Sequence, residues 1–164
     1  MLGAALLLST GCADPFPSGD LRIDQEKMRV AEDLLGSAVF DLEAIPSPAG
    51  FEPRQAPSLE ACLKDDGVLL SQPEVRGTWL ATEPARSSQK AVQGREALAA
   101  ALVAKGWKRE RLAQASSEEI VLVKNAAGHR LQATVSGTHT SLAPQDLLAV
   151  DVVIADLAPC EVVQ

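Results

Sequence analysis

Two strand-like runs, EEIVLVK (118–124) and HRLQATVS (129–136), flank the turn-forming segment NAAG (125–128). The first is rich in β-branched and aliphatic residues, and the second has apolar residues at every second position from Leu131. Two such runs around a short Gly-containing turn read as a β-hairpin with a four-residue loop. Antiparallel neighbours need no crossover, so the hairpin commits this half of the chain to a mainly antiparallel sheet. The run LLAVDVVIADL (147–157) follows a looser segment ending at Asp146 and supplies the longest, most buried strand. Val75 to Thr82 alternates as well, with Val75, Gly77, Trp79 and Ala81 on one side.

Between Asp20 and Leu42, apolar residues recur at Leu21, Met28, Ala31, Leu34, Leu35, Ala38, Val39 and Leu42, the spacing of an amphipathic helix. It stops before IPSPAGFEPRQAPS (45–58), whose four prolines and one glycine read as a loop without regular structure. A second helix runs from a cap at Ser87 or Ser88 to about Lys105, closed by Gly106, with Trp107 placed to pack under its last turn. The expected order is α-β-α-β-β-β. That order fits a single α+β domain over residues 20–164, a two-layer sandwich with both helices on one face of the sheet.

The chain has 164 residues with 46% apolar, but only three Phe, two Trp and no Tyr, so its core must be built from Leu, Val and Ala. The net charge of −7 disfavours binding to nucleic acid or an anionic membrane, which both require a basic surface. Basic residues nonetheless gather between Arg86 and Arg111: Arg86, Lys90, Arg95, Lys105, Lys108, Arg109 and Arg111 face only Glu96 and Glu110. A solvated helix face with its exit is the plain reading, and a strip meeting an acidic partner or an anionic envelope polymer is the alternative.

Residues LGAALLL (2–8) carry no charge and are too few to span a bilayer, which takes about 20. They match the apolar region of a secretory signal. The residues Ser9-Thr10-Gly11-Cys12 that follow resemble the lipobox of bacterial lipoproteins. That resemblance implies a signal peptide over residues 1–11, cleavage before Cys12 and acylation of its thiol. It also implies a membrane-anchored protein on the extracytoplasmic face of the cell membrane. ADPFPSG (13–19) then reads as a flexible tether. The Ala-rich composition and the lipobox–helix–Cys…Cys layout are similar to those of small envelope lipoproteins of actinobacteria. With Cys12 lipidated, Cys62 and Cys160 remain as an even pair in a compartment that permits disulfides. Two separately buried thiols are the alternative. Neither cysteine has a His at ligand spacing, so zinc is not expected.

Catalytic signals are sparse. Arg95 falls near the middle of the apolar face of the second helix, and Asp151 interrupts the apolar strand 147–155. The main reading has Arg95 reaching to the rim, and a buried Arg95–Asp151 ion pair is the conceivable alternative. His139, in SGTHTS, lies beside hydroxyls, but no Gly-x-Ser-x-Gly elbow is present. His129, Asp65-Asp66 and Glu118-Glu119 read as solvated loop or turn residues. No phosphate loop, dinucleotide fingerprint or calcium loop occurs, and no cofactor or metal is expected. These features point to a lipid-anchored envelope protein with a non-enzymatic binding or accessory role, docking a protein partner or sensing an envelope ligand. The alternatives are an envelope hydrolase using His139 and a soluble cytosolic domain with an incidental Gly-Cys.

Overall fold

The computed structural model describes residues 20–60, 62, 64–65, 68–69, 72–83, 88–111, 118–138 and 145–163. The expected signal peptide, Cys12 and the tether up to residue 19 lie outside them. The chain opens with β1 (Asp20–Ile23), α1 (Gln25–Glu43), β2 (Phe51–Glu60) and two short strands, β3 (Lys64–Asp65) and β4 (Val68–Leu69). Then come β5 (Glu74–Ala81), α2 (Gln89–Ala104), β6 (Lys108–Glu110), β7 (Glu119–Ala126), β8 (His129–Thr138), β9 (Leu147–Ile154) and β10 (Cys160–Val163). Six strands form an antiparallel sheet in the order β2-β5-β9-β8-β7-β6, while β1 pairs with β10 and β3 with β4. The architecture is α+β, with more strands than the sequence pattern announces.

Three differences from that pattern have clear causes. Residues 51–60 form a strand despite their prolines, because β2 is the outer strand of the sheet. An outer strand has one neighbour, so a missing N–H on its free side costs no ladder bond. The pairing also slips between Pro53 and Gln55 and between Gln55 and Ser58, which leaves Pro57 within an irregular stretch.

The first helix begins at Gln25 and not at Asp20. Asp24 terminates it by capping: its Oδ1 accepts hydrogen bonds from the backbone N–H of Glu26 at 3.2 Å and Lys27 at 3.1 Å. The four residues before it are free to pair with β10.

The hairpin loop is two residues long, not four. Ala126 pairs with His129, and Ala127 (φ 48°) and Gly128 (φ 83°) both take the left-handed conformation. That combination matches the right-handed twist of the flanking strands.

Helix α2 ends as expected, with Gly106 at φ +91° supplying the left-handed residue past its last turn. Ser88 occupies the N-cap position without a side-chain bond, and Ser87 lies outside the described residues. Trp107 is 1% exposed, and its indole N–H donates to Asp41 Oδ2 at 3.0 Å. Lys124 Nζ binds the same carboxylate oxygen at 2.6 Å, so Trp107 locks the ends of both helices to β7.

One buried cluster joins the two helices to the sheet. From the strands it draws Val75, Trp79 and Ala81 of β5, Leu148, Val150, Val152 and Ile154 of β9, Leu131, Ala133 and Val135 of β8, and Leu122 of β7. The register places all of these on one face, as Val75, Val152, Ala133 and Leu122 align across four strands. The opposite face carries Arg76, Thr78, Asp151, Thr134 and Ser136 on the same strands.

Candidate functional site

At one end of the molecule the first and last described strands form a two-stranded ribbon. Ile23 pairs with Cys160, and Arg22 with Glu161. Asp24 N–H donates to the Pro159 carbonyl at 2.9 Å, which ties the start of α1 to the same ribbon. Cys160 is disulfide-bonded to Cys62, 98 positions away in sequence, with Cα atoms 6.3 Å apart. Met28, one turn into α1, packs with both cysteines in a small buried cluster of its own. The point where the chain enters the fold is therefore held by a ribbon, a helix cap and a covalent bond. Beside it lies a cleft of 360 Å³ lined by Arg22, Ile23, Asp24, Lys27, Ala158, Pro159 and Glu161. Its two cations and two of its acids lie in reach of each other, since Arg22 faces Glu161 across the ribbon and Lys27 pairs with Asp24 at 3.5 Å.

Arg95 is buried and does not reach the rim, and the conceivable Arg95–Asp151 pair is not present either. Successive residues of a strand point to opposite faces, so Leu148, Val150 and Val152 face the helices while Asp151 faces away. Its partner is Arg76, its neighbour across the strands, whose Nε donates to Asp151 Oδ1 at 2.5 Å. Glu74 Oε1 stands 3.8 Å from the same guanidinium. The hydrogen bond to Asp151 raises the Arg76 pKa, and burial raises that of Glu74 above the usual carboxylate range. A signal for this partner was present: Arg76 is the charged residue of the alternating run Val75 to Thr82, and Asp151 is the one charged residue of the apolar run 147–155, so strand pairing can bring them together on the face away from the core. Arg95 instead lies inside, under α2, and donates to the backbone carbonyl of Glu118.

The remaining expected site residues are dispersed. His139 lies outside the described residues, as do Asp66 and Arg86. Asp65 stands in β3, apart from the main sheet. His129, at the hairpin turn, has Nδ1 3.4 Å from Asp156 Oδ2. Asp156 is held below the ordinary aspartate range, first by the Arg130 backbone N–H that it accepts and also by His129. A His–Asp contact could orient a base, but no Ser or Cys hydrogen bond to His129 is present among the described residues.

The basic residues between 86 and 111 do not make one strip. Arg95 is buried, Arg109 pairs with Glu96 at 2.6 Å, and Lys90 sits 5.9 Å from the Phe51 ring centre. Among the described residues, no three His, Cys, Asp or Glu side chains gather as metal ligands would. No helix there is long and apolar enough to cross a membrane. No family model, curated protein or solved structure matches the chain.

Proposed function

We propose that this is a lipid-anchored protein of a bacterial cell envelope, held on the extracytoplasmic face by acylated Cys12, with a binding or accessory role in place of catalysis. Its folded part is read as a two-layer α+β sandwich with both helices over one face of the sheet. The observation that carries the proposal is the Cys62–Cys160 disulfide. It accounts for two of the three cysteines and leaves Cys12 as the one available for a thioether. A disulfide that closes most of the domain also suits an oxidising compartment better than a reducing one. The disulfide end adds support, because the tether after Cys12 runs directly into β1, and that strand is the best-secured entry the fold has. A pull on the tether would be taken up by the ribbon, the Asp24 cap and the disulfide before it reached the core.

Feeding cells an alkyne fatty acid tests the proposal. Wild-type protein should carry the label and move with membranes, whereas Cys12→Ser should carry none and be released. Absence of label from both would refute it.

A further inference from the structure

We infer that a second copy of this chain docks on the far face of the six-stranded sheet, the face turned away from the buried core. The two copies pack sheet to sheet about a two-fold axis that lies along the strands.

A strand with one wet face alternates apolar and polar residues, whereas a near-continuous apolar run marks a strand covered on both faces. Strand β9 reads LLAVDVVI. Alternate residues of it fill the core, yet Leu147, Ala149 and Val153 point the other way and are only half-buried. Leu80 of β5, beside Leu147, adds to this apolar surface. Arg76, in the middle of the same face, keeps 44% of its side chain exposed, so the face is open there.

The face is also large enough. A standard interface takes about 800 Å² from each partner, and six strands about 4.8 Å apart and mostly about 27 Å long outline about 700 Å² before side-chain relief is counted. Two such sheets pack with their strands within about 30° of each other.

Charge selects the occupant. One row across this face runs from Glu60 and Glu74 through Val153, Gln132 and Val123 to Lys108. Acid stands at one end of the row and base at the other. Among the described residues neither Glu60 nor Lys108 is in a salt bridge. A two-fold along the strands reverses the row, so Glu60 of each copy meets Lys108 of the other. Arg76 and Asp151 enter already paired, so neither is buried as a lone charge. A two-fold across the strands would instead lay β2 on β2 and bring carboxylates together.

The same axis suits anchoring; this orientation rests on the lipid-anchor proposal, whereas the face and its charges do not. Cys62 follows β2 and Cys160 follows β9, and both strands run antiparallel to β5. The disulfide and the entry through β1 therefore lie at one end of the strands. Rotation about the strand direction keeps that end level in both copies, and two tethers reach one membrane.

Sedimentation equilibrium of the full chain carrying Cys12→Ser, from about 1 to about 200 µM, tests this without the lipid, so its outcome is independent of the anchor. A reversible monomer–dimer equilibrium is expected. Val153→Lys, near the dimer axis, should raise Kd at least about thirtyfold. Lys108→Glu should raise it about tenfold, because two like-charge contacts replace two pairs, and adding Glu60→Lys should restore it. A chain that stays monomeric at about 200 µM would overturn the inference and leave this face to a different partner. So would a dimer indifferent to Val153→Lys, or one that the second charge swap fails to restore. Should Val153→Lys fail to fold, the two charge swaps decide, since both lie at the edges of the sheet.

Discussion

Replacing Cys62 and Cys160 by alanine should lower the stability of the domain far more than any surface change. The two residues are 98 positions apart, and the chain between them contains nearly the whole six-stranded sheet. In the chain-entropy description, closing a loop of about 100 residues removes about 4.7 kcal/mol of unfolded-state freedom. Both cysteines are buried against Met28, so truncation adds a small packing loss in the same direction. For a domain of this size, about 2–4 °C per kcal/mol turns that figure into a fall in Tm of about 10–18 °C. Calorimetry of the double variant against oxidised wild type measures it. Hydrogen exchange adds a local reading, because among the described residues β10 pairs with β1 alone. Amides at 20–23 and 160–163 should exchange faster in the variant, while β8, at the centre of the sheet, keeps its order of protection relative to the other strands. A fall of less than about 3 °C would show that the loop closure is not what stabilises the fold.

Further predictions concern the hairpin and pH. Ala127 sits at φ 48°, where a non-glycine residue without a polar side chain is strained by about 1–2 kcal/mol; Ala127→Asn, making the favoured Asn-Gly turn, should raise the urea midpoint, and a lowered midpoint would contradict the turn geometry. Asp24 and Asp156 have lowered pKa values, Asp24 chiefly through the Lys27 backbone N–H and Asp156 through that of Arg130. Their contribution is present above the ordinary aspartate value of about 3.9 and is lost as pH falls through their lower folded values. Glu74, raised by burial, has the opposite sign: its contribution is present below its ordinary value and lost as pH rises through the raised one. Denaturation series from pH 2.5 to 6 should therefore show a flatter acid limb in Asp24→Asn and a steeper gain of stability with rising pH in Glu74→Gln; unchanged limbs would argue against both assignments.

The helices and central strands were legible because their signals are periodic and long. Val75 to Ala81 alternates over seven residues and Leu147 to Ile154 is apolar at every position but Asp151; burial alternates along β9 and, apart from Thr78, along β5. Short elements carry no period to read. Asp20–Ile23 and Lys108–Glu110 become strands only because a partner lies alongside, and nothing in DLRI or KRE shows that partner. The prolines of 45–58 misled for a related reason: composition registers a missing donor but not whether the strand is central or at the edge. The hydrogen-bonding potential of Asp24 was visible, since Asp before Gln-Glu-Lys is a cap signal. The helical wheel puts Arg95 on the apolar face of α2, but a wheel does not distinguish burial from a reach to the rim, and the side chain is in fact buried. Its relation to Asp151 was not legible either, because that depends on which face of β9 meets α2. The candidate anchor residue is different again, being a matter of local sequence that folding does not alter.

Mass spectrometry of the amino-terminal peptide from protein extracted out of intact envelopes tests the anchoring claim most directly. The peptide should begin at Cys12 and carry the added mass of a diacylglyceryl group, with Cys62 and Cys160 recovered as one disulfide-linked pair. A peptide that retains residues 1–11 with an unmodified Cys12, or one in which Cys12 is disulfide-bonded to Cys62 or Cys160, would contradict it.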